Sequence, residues 1–440
     1  MAAKTRRRIL AGRVAAIAAI GGPALTRMVW IAATSSGEVR THRLAAETAR
    51  LLERLGGAFI KAGQLLATRV DLVGEPVAAA LGRLHDDVAP PTGPAALRAV
   101  RAGLGPLPDG FAAAFTRPPV AGGSIAVVYR AEYRGRAVAV KVRRPGVGDT
   151  IAGDIAILRR LARAASGLPA LRRVPVGEIT GQLGDLLVRQ LDFRAEAECL
   201  RRLHDVFADT PGVVVPDIVP ELCGDGVITM EFVEGLDRAR AGALPPEYRR
   251  AQTTELTRAV YRMLFVEGLV HVDLHQGNVY FMPDGRVVLL DAGLVFQMSG
   301  QARRKFTEFF GGMVRGDGEA CAGVLLSTVR GPARDADVAA FRERVAELVV
   351  RNAGLTAGSF SLSAFCVELF DLQRRHRLLA EPEFAFPMLC LLTLEGTVRR
   401  NHPSMDFQLE AAPYAMQGLL AMDGDPDHED PDHEDAPAFF

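Results

Sequence analysis

The sequence predicts an α+β chain in which a small antiparallel sheet is followed by a helical region carrying a strand-rich loop. Three observations lead there. "SIAVVYRAEYRGRAVAVKV" (124–142) alternates apolar and polar residues in two runs, 125–133 and 136–142, joined by a tight Arg134-Gly135 turn. Apolar residues recur every three or four positions over 40–88, about 150–207, 248–267 and from 299 to about 400. Between the last two lies "LVHVDLHQGNVYFMPDGRVVLLDAG" (269–293), whose histidines, aspartates and asparagine stand between short apolar runs. The order is helices, a small sheet, then a helical lobe with a loop-and-hairpin insert. It outlines segments 1–40, 41–110, 111–235, 236–415 and 416–440.

Within the first segment, residues 1–13 carry Lys4, Arg6, Arg7, Arg8 and Arg13 without an acid. Its apolar run "VAAIAAIGGPAL" (14–25) is shorter than a bilayer requires and is interrupted by Gly-Gly-Pro. A signal peptide, an amphipathic interfacial helix and a plain extension remain open for it. Helical periodicity through "LAAETARLLERLGGAFIKAGQLLATRVDLV" is expected to break at Gly56-Gly57, and "APPTGP" (89–94) marks a linker. After the hairpin come a helical stretch to 207, short strands near 213–232, and one helix over 248–267 ending at Gly268. The final segment, with "DGDPDHEDPDHED" at 423–435, is expected to be disordered.

At 440 residues and zero net charge the chain has room for real cores and no global field to attract nucleic acid. Five scattered cysteines without a C-x-x-C pair suggest neither a disulfide framework nor a zinc site, which points to a reducing cytoplasm. Contact with the inner face of the membrane through the N-terminus is the alternative location. Of 52 basic side chains only Lys4, Lys61, Lys141 and Lys305 are lysine, a bias of GC-rich bacterial genomes. A lysine kept inside such a fold marks a place where a compact ammonium is needed.

The 269–293 stretch admits two chemistries. His271, Asp273 and His275 alternate as strand residues do and could hold a metal, but nothing nearby completes a tetrahedral set. Asp273, Asn278 and Asp291 fit the other reading: a base and two hard oxygen ligands for Mg²⁺, with the hairpin turning at Pro283-Asp284-Gly285 to bring Asp291 back. His271 then packs and hydrogen-bonds behind the loop. Phosphoryl transfer also needs a lysine on the nucleotide phosphates. Lys141 in the strand "AVAVKV" is the candidate, with Glu196 of "LDFRAEAECLRRL" as its partner on a helix that places Leu191, Ala195 and Cys199 on one stripe. "AGGS" (Gly122, Gly123, Ser124) is positioned to cover phosphates, and "VITMEFVEG" to supply an adenine-contacting hinge from Met230 through Glu231 to Val233. ATP and Mg²⁺ are the cofactors implied, on a two-lobed protein-kinase-like fold.

From about 45 to 410 these residues together resemble the AarF/UbiB group of atypical kinases. "FIKAGQLLATRVDLV", with Lys61, Gly63 and Gln64, resembles the family's K-x-G-Q signature, so the N-terminal helical extension carries that motif. "LHDDVAPP" resembles the end of that segment, "HVDLHQGN" the family's H-x-D-x-H-P-G-N, and "LTLEGTVRR" (392–400) a late family helix. The resemblance implies ATP binding and slow hydrolysis, with Lys61 and Gln64 on a helix that closes the nucleotide cleft to protein substrates. It implies a role beside isoprenoid-quinone or related lipid biosynthesis, with quinone precursors or biosynthetic enzymes as partners.

The sequence departs from the family pattern at named places. The alanine-rich nucleotide loop is "AGGS", and the Gly-Gln pair after it is Ala126-Val127. Gln190 precedes Asp192 where the family has E-x-D, which removes a carboxylate expected to face Lys61. Ala292 replaces the Phe of D-F-G, and the acidic tail stands where the family commonly has a C-terminal transmembrane hairpin. Two rival functions remain: a small-molecule phosphotransferase of the aminoglycoside or choline type, whose catalytic loop is similar but which lacks Lys61-Ala62-Gly63-Gln64, and a nucleotide-dependent scaffold.

Overall fold

The computed structural model describes residues 2–56, 58–68, 73–84, 90–166, 176–237, 242–274, 277–329, 337–353, 360–378 and 381–423. Chain contacts divide it into two compact units, Met1–Glu198 with Asp217–Phe232, and Cys199–Pro216 with Val233–Phe440.

The first unit opens with α1 (Ala2–Thr34), α2 (Gly37–Leu55), α3 (Ala58–Thr68), α4 (Glu75–Leu81) and α5 (Gly93–Leu104). Contrary to the expectation of an interrupted apolar run, α1 continues through Gly21, Gly22 and Pro23, and Ala15–Thr34 is long and apolar enough to cross a membrane. Packing outweighs the local cost of proline: Ala24 and Ile31 are buried, and Arg27 Nε lies 2.5 Å from Glu47 Oε1 on α2. Helix α2 does end at Gly56, which takes φ 66°. Gly57, residues 69–72 and 85–89, and the 424–440 tail lie outside the described residues.

The sheet that follows has strand order β1 (Ala121–Gly122), β2 (Ala126–Tyr133), β3 (Arg136–Arg143), β5 (Val227–Glu231), all antiparallel. Alternation in β2 and β3 sends Val127, Tyr129, Val138, Val140 and Val142 into one core. Helix α5 and a 3₁₀ turn (Phe111–Thr116) cover that core with Val100, Phe111 and Phe115, the last 4.8 Å from the Tyr129 ring centroid. Helices α6 (Val147–Ser166), α7 (Val176–Arg189) and α8 (Phe193–Phe207) come between β3 and β5. Because α8 starts at Phe193, Leu191 precedes it and does not share its stripe with Ala195 and Cys199. Asp192 is the reason: its Oδ1 accepts the Ala195 amide at 3.0 Å, an N-cap that sets the helix start.

In the second unit β4 (Val213–Val214) pairs with β8 (Val287–Leu289), which pairs with β7 (Val279–Phe281), while β6 (Leu269–His271) pairs with β9 (Val295–Gln297). The helix expected over 248–267 is α9 (Pro246–Tyr261) continued by a wider π turn (Arg262–Glu267), closed by Gly268 in the left-handed region. Helices α10 (Gly300–Arg315), α11 (Gly318–Ser327), α12 (Val338–Asn352), α13 (Leu362–His376) and α14 (Pro382–Asn401) follow, and α10 to α13 start at side-chain caps from Ser299, Asp317, Asp337 and Ser361. Helicity does not stop near 400: α15 (Phe407–Asp423) runs across the boundary drawn at 416. It is anchored where Tyr261 Oη donates to Phe407 O at 2.6 Å. Gly318 marks a close approach, since a Cβ there would lie 2.6 Å from Cα and O of Ala346. Gly318→Ala is therefore expected to destabilise the fold by about 1–3 kcal/mol, read as a lower urea midpoint.

Candidate active site

The chemistry-bearing residues fall into two sets, one in each unit. In the first, Lys141 stands in β3 opposite Val128 on one side and Ile228 on the other. Its Nζ donates to Glu196 Oε1 at 2.5 Å, with side-chain exposures of 15% and 3%. Two further contacts hold the pair. The Phe193 ring centroid lies 5.6 Å from Lys141 Nζ and 6.0 Å from the Arg143 guanidinium, and Arg143 Nη1 donates to Leu191 O at 2.7 Å. Arg143, Phe193 and the Asp192 cap thus fix the first turn of α8, which carries Glu196. Sequence reasoning singled out neither Arg143 nor Phe193. The cap was visible as Asp three residues before Ala195, the others only in three dimensions.

The loop from Gly122 to Ser124 is a tight connection from β1 into β2, closed by Gly123 N donating to Ala126 O at 2.9 Å. Arg144, the residue after β3, clamps it, with Nε donating to Gly123 O at 2.6 Å. This arginine is a third residue missed from sequence. Met230 and Glu231 end β5, with Met230 buried opposite Ala139, and Val233 lies two residues past the strand. Lys61 and Gln64 share α3. Gln64 Nε2 donates to Leu84 O at 3.2 Å, whereas Lys61 is half-buried with no hydrogen bond or ion pair to another described residue. Gly63 lets α3 pack closely, for its Cβ would meet Leu84 Cδ1 at 2.3 Å. Gln190 Oε1 is buried without a hydrogen-bond partner among the described residues. The glutamine thus makes no bond to Lys61.

The second set is one hydrogen-bonded network. Strands β6 and β9 pair His271 with Val295, and β7 and β8 pair Val279 with Leu289, so the loop after β6 and the end of β8 converge. Gly285, at φ 92°, supplies the turn. Asn278 Nδ2 donates to Asp273 O at 2.9 Å and to Asp273 Oδ2 at 3.3 Å, and Leu290 N donates to Asn278 O at 3.0 Å. His271 joins both acids. The Asp273 amide donates to its Nδ1 at 3.3 Å, so Nε2 carries the proton given to Asp291 O at 2.8 Å. Gly293 N donates to Asp291 Oδ1 at 3.0 Å. From α9, the buried Gln252 donates Nε2 to Met282 O at 2.7 Å and Arg286 O at 2.9 Å, holding the hairpin. Asp273, Asn278 and Asp291 are therefore brought together, and His271 is the support behind them. His271→Leu, which leaves the Asp273 amide and the Asp291 carbonyl without this partner, is expected to lower stability by about 2–4 kcal/mol in denaturant unfolding.

The rival metal grouping uses His275, which lies outside the described residues. Among the described residues no three His, Cys, Asp or Glu side chains are grouped to hold a metal ion. The donors that do fit one are oxygens of Asn278 and Asp291. Asn278 spends its amide N–H bonds on Asp273, which leaves Oδ1 as an acceptor, and the Asp291 carboxylate takes the Gly293 amide on Oδ1. Burial pushes Cys390, the cysteine hydrogen-bonded at His271, up to about 12, and Cys321 to about 12 as well. At pH 8 a thiol reagent is expected to leave both unmodified until the protein unfolds, as mass mapping would read.

Known proteins resemble the chain over much of its length. The ABC1 atypical kinase-like domain matches residues 83–325. The chain is 27% identical over 372 residues to a probable protein kinase UbiB of Vibrio atlanticus, covering 82% of this chain and 68% of that protein. A Mycobacterium tuberculosis protein, Rv3197, solved as a complex with erythromycin, superposes with a TM-score of 0.50 at 22% identity, over 80% of this chain and 94% of the other.

Proposed function

The chain belongs to the ABC1 atypical kinase-like family, the AarF/UbiB group, and on that premise we propose that it binds MgATP and turns it over slowly beside isoprenoid-quinone or related lipid biosynthesis. The observation that carries this reading is the network joining His271, Asp273, Asn278 and Asp291. Its residues take distinct parts. Asp273, held by the Asn278 amide, accepts the proton of the attacking hydroxyl or water, the general-base role that aligns the nucleophile. Asn278 and Asp291 present oxygens to Mg²⁺, which when bound neutralises phosphate charge. Lys141 holds the α- and β-phosphates and Glu196 orients it. Gly122, Gly123 and Ser124 cover the phosphates with Arg144 fixing their loop, and Met230, Glu231 and Val233 contact the adenine. Lys61 and Gln64 on α3 restrict which acceptors reach the nucleotide.

The test is an ATP-turnover assay on the full chain with and without Mg²⁺, against a panel of phenols, isoprenoid alcohols, sugars, an aminoglycoside and a macrolide. Slow Mg²⁺-dependent hydrolysis is expected, raised by the phenol or isoprenoid class. Asp273→Asn should lower it about 10²–10⁴-fold. Turnover indifferent to Mg²⁺ or to Asp273→Asn would refute the reading. Phosphorylation of a sugar or antibiotic in place of any lipid-like stimulation would replace the quinone role with a small-molecule kinase.

A further inference from the structure

Helix α1 has two unlike faces. One packs inward: Ala24 and Ile31 are buried, Arg27 pairs with Glu47 on α2, and Arg13 forks onto Asp154 on α6 at 2.9 and 3.0 Å. The other face, through Ala18, Gly22, Leu25, Val29, Trp30 and Ala33, is uncharged and exposed, with Leu25 65%, Val29 64% and Trp30 62% open. Large apolar side chains grouped this way in water mark a surface with a partner.

What the partner is follows from the groove beside Trp30. Helices α1 and α2 flank an open groove of about 510 Å³ there, lined by Arg27, Arg43, Arg50 and His42 around Glu47. Glu47 is 1% exposed and takes Arg27 on Oε1 at 2.5 Å and Arg50 on Oε2 at 2.8 Å, while Arg43 Nη1 donates to Ser35 Oγ at 3.2 Å. Three guanidinium groups against one carboxylate leave a net positive groove next to an apolar face. Lipid phosphate above and acyl chain below match that pairing.

We propose that α1 and α2 form a membrane-surface site for an anionic phospholipid bilayer. Phosphate headgroups enter the arginine groove, and Leu25, Val29 and Trp30 sink to the acyl boundary. The helix lies along the bilayer and does not cross it, because crossing would carry Arg27, the buried Glu47 and the charged α2 into hydrocarbon. This surface is independent of the nucleotide chemistry proposed above.

The single tryptophan of the chain makes it testable without a label. Vesicles of phosphatidylcholine with about one third phosphatidylglycerol should shift Trp30 emission of the full chain to the blue, and phosphatidylcholine alone should not. Arg43→Glu with Arg50→Glu should weaken vesicle binding at least about tenfold. Leu25→Ser with Val29→Ser should remove the shift while leaving the groove's charge intact. Unchanged emission with anionic vesicles, or equal binding by the charge-reversed protein, overturns the site. A blue shift that follows protein concentration without lipid assigns the face to a second copy, and retention through high-salt and carbonate washing assigns α1 to a span. Either contradicts the proposal.

Discussion

Lys141→Ala is expected to weaken ATP binding by at least about tenfold, 1.4 kcal/mol, and to cost folding stability at the same time. The second effect arises because Glu196, 3% exposed, loses its ammonium at 2.5 Å. Breaking a buried pair from one side costs about 3–5 kcal/mol, and Lys141's residual exposure places this case at the lower end. The two losses can be separated. Lys141→Met with Glu196→Leu removes both charges, so chemical denaturation should recover most of the stability while ATP binding stays lost. Recovery of binding in the double variant would show that Lys141 serves the fold and not the nucleotide.

Asp291→Asn is expected to abolish Mg²⁺-dependent turnover, by roughly 10²-fold or more, with little change in stability. That amounts to about 2.7 kcal/mol of barrier. The asymmetry comes from its contacts. Gly293 N donates to Oδ1, which an asparagine oxygen can replace, and His271 bonds the main-chain carbonyl, which the substitution does not touch. Asn278→Ala differs, since it also frees Asp273 from the Nδ2 bonds. It should therefore lower turnover even where Mg²⁺ is saturating.

Much of this was legible in the chain because it is local. Alternation from 126 to 143 specifies a hairpin that buries one face, and Lys141 among valines is placed by that alternation. The Asp273-to-Asn278 spacing and the Pro283-Asp284-Gly285 turn likewise bring Asp291 back to the loop. Residues whose role depends on distant packing were not legible. Pro23 breaks the apolar run in sequence, yet α2 supplies a surface that keeps α1 continuous. The helical periodicity read from 299 ends near 400, but Tyr261 anchors α15 at Phe407. Leu191 fits a helical stripe until Asp192 caps the helix one residue later. Phe193 and Arg143 support the Lys141–Glu196 pair from positions that no periodicity marks.

The measurement that bears most directly on the central claim is calorimetric titration of ATP into wild type, Lys141→Ala and Asp291→Asn, each with and without Mg²⁺. If the ammonium and the carboxylate serve one nucleotide, Lys141→Ala weakens ATP in both conditions, and Asp291→Asn weakens it only when Mg²⁺ is present. Wild-type affinity for MgATP in both variants would contradict the account.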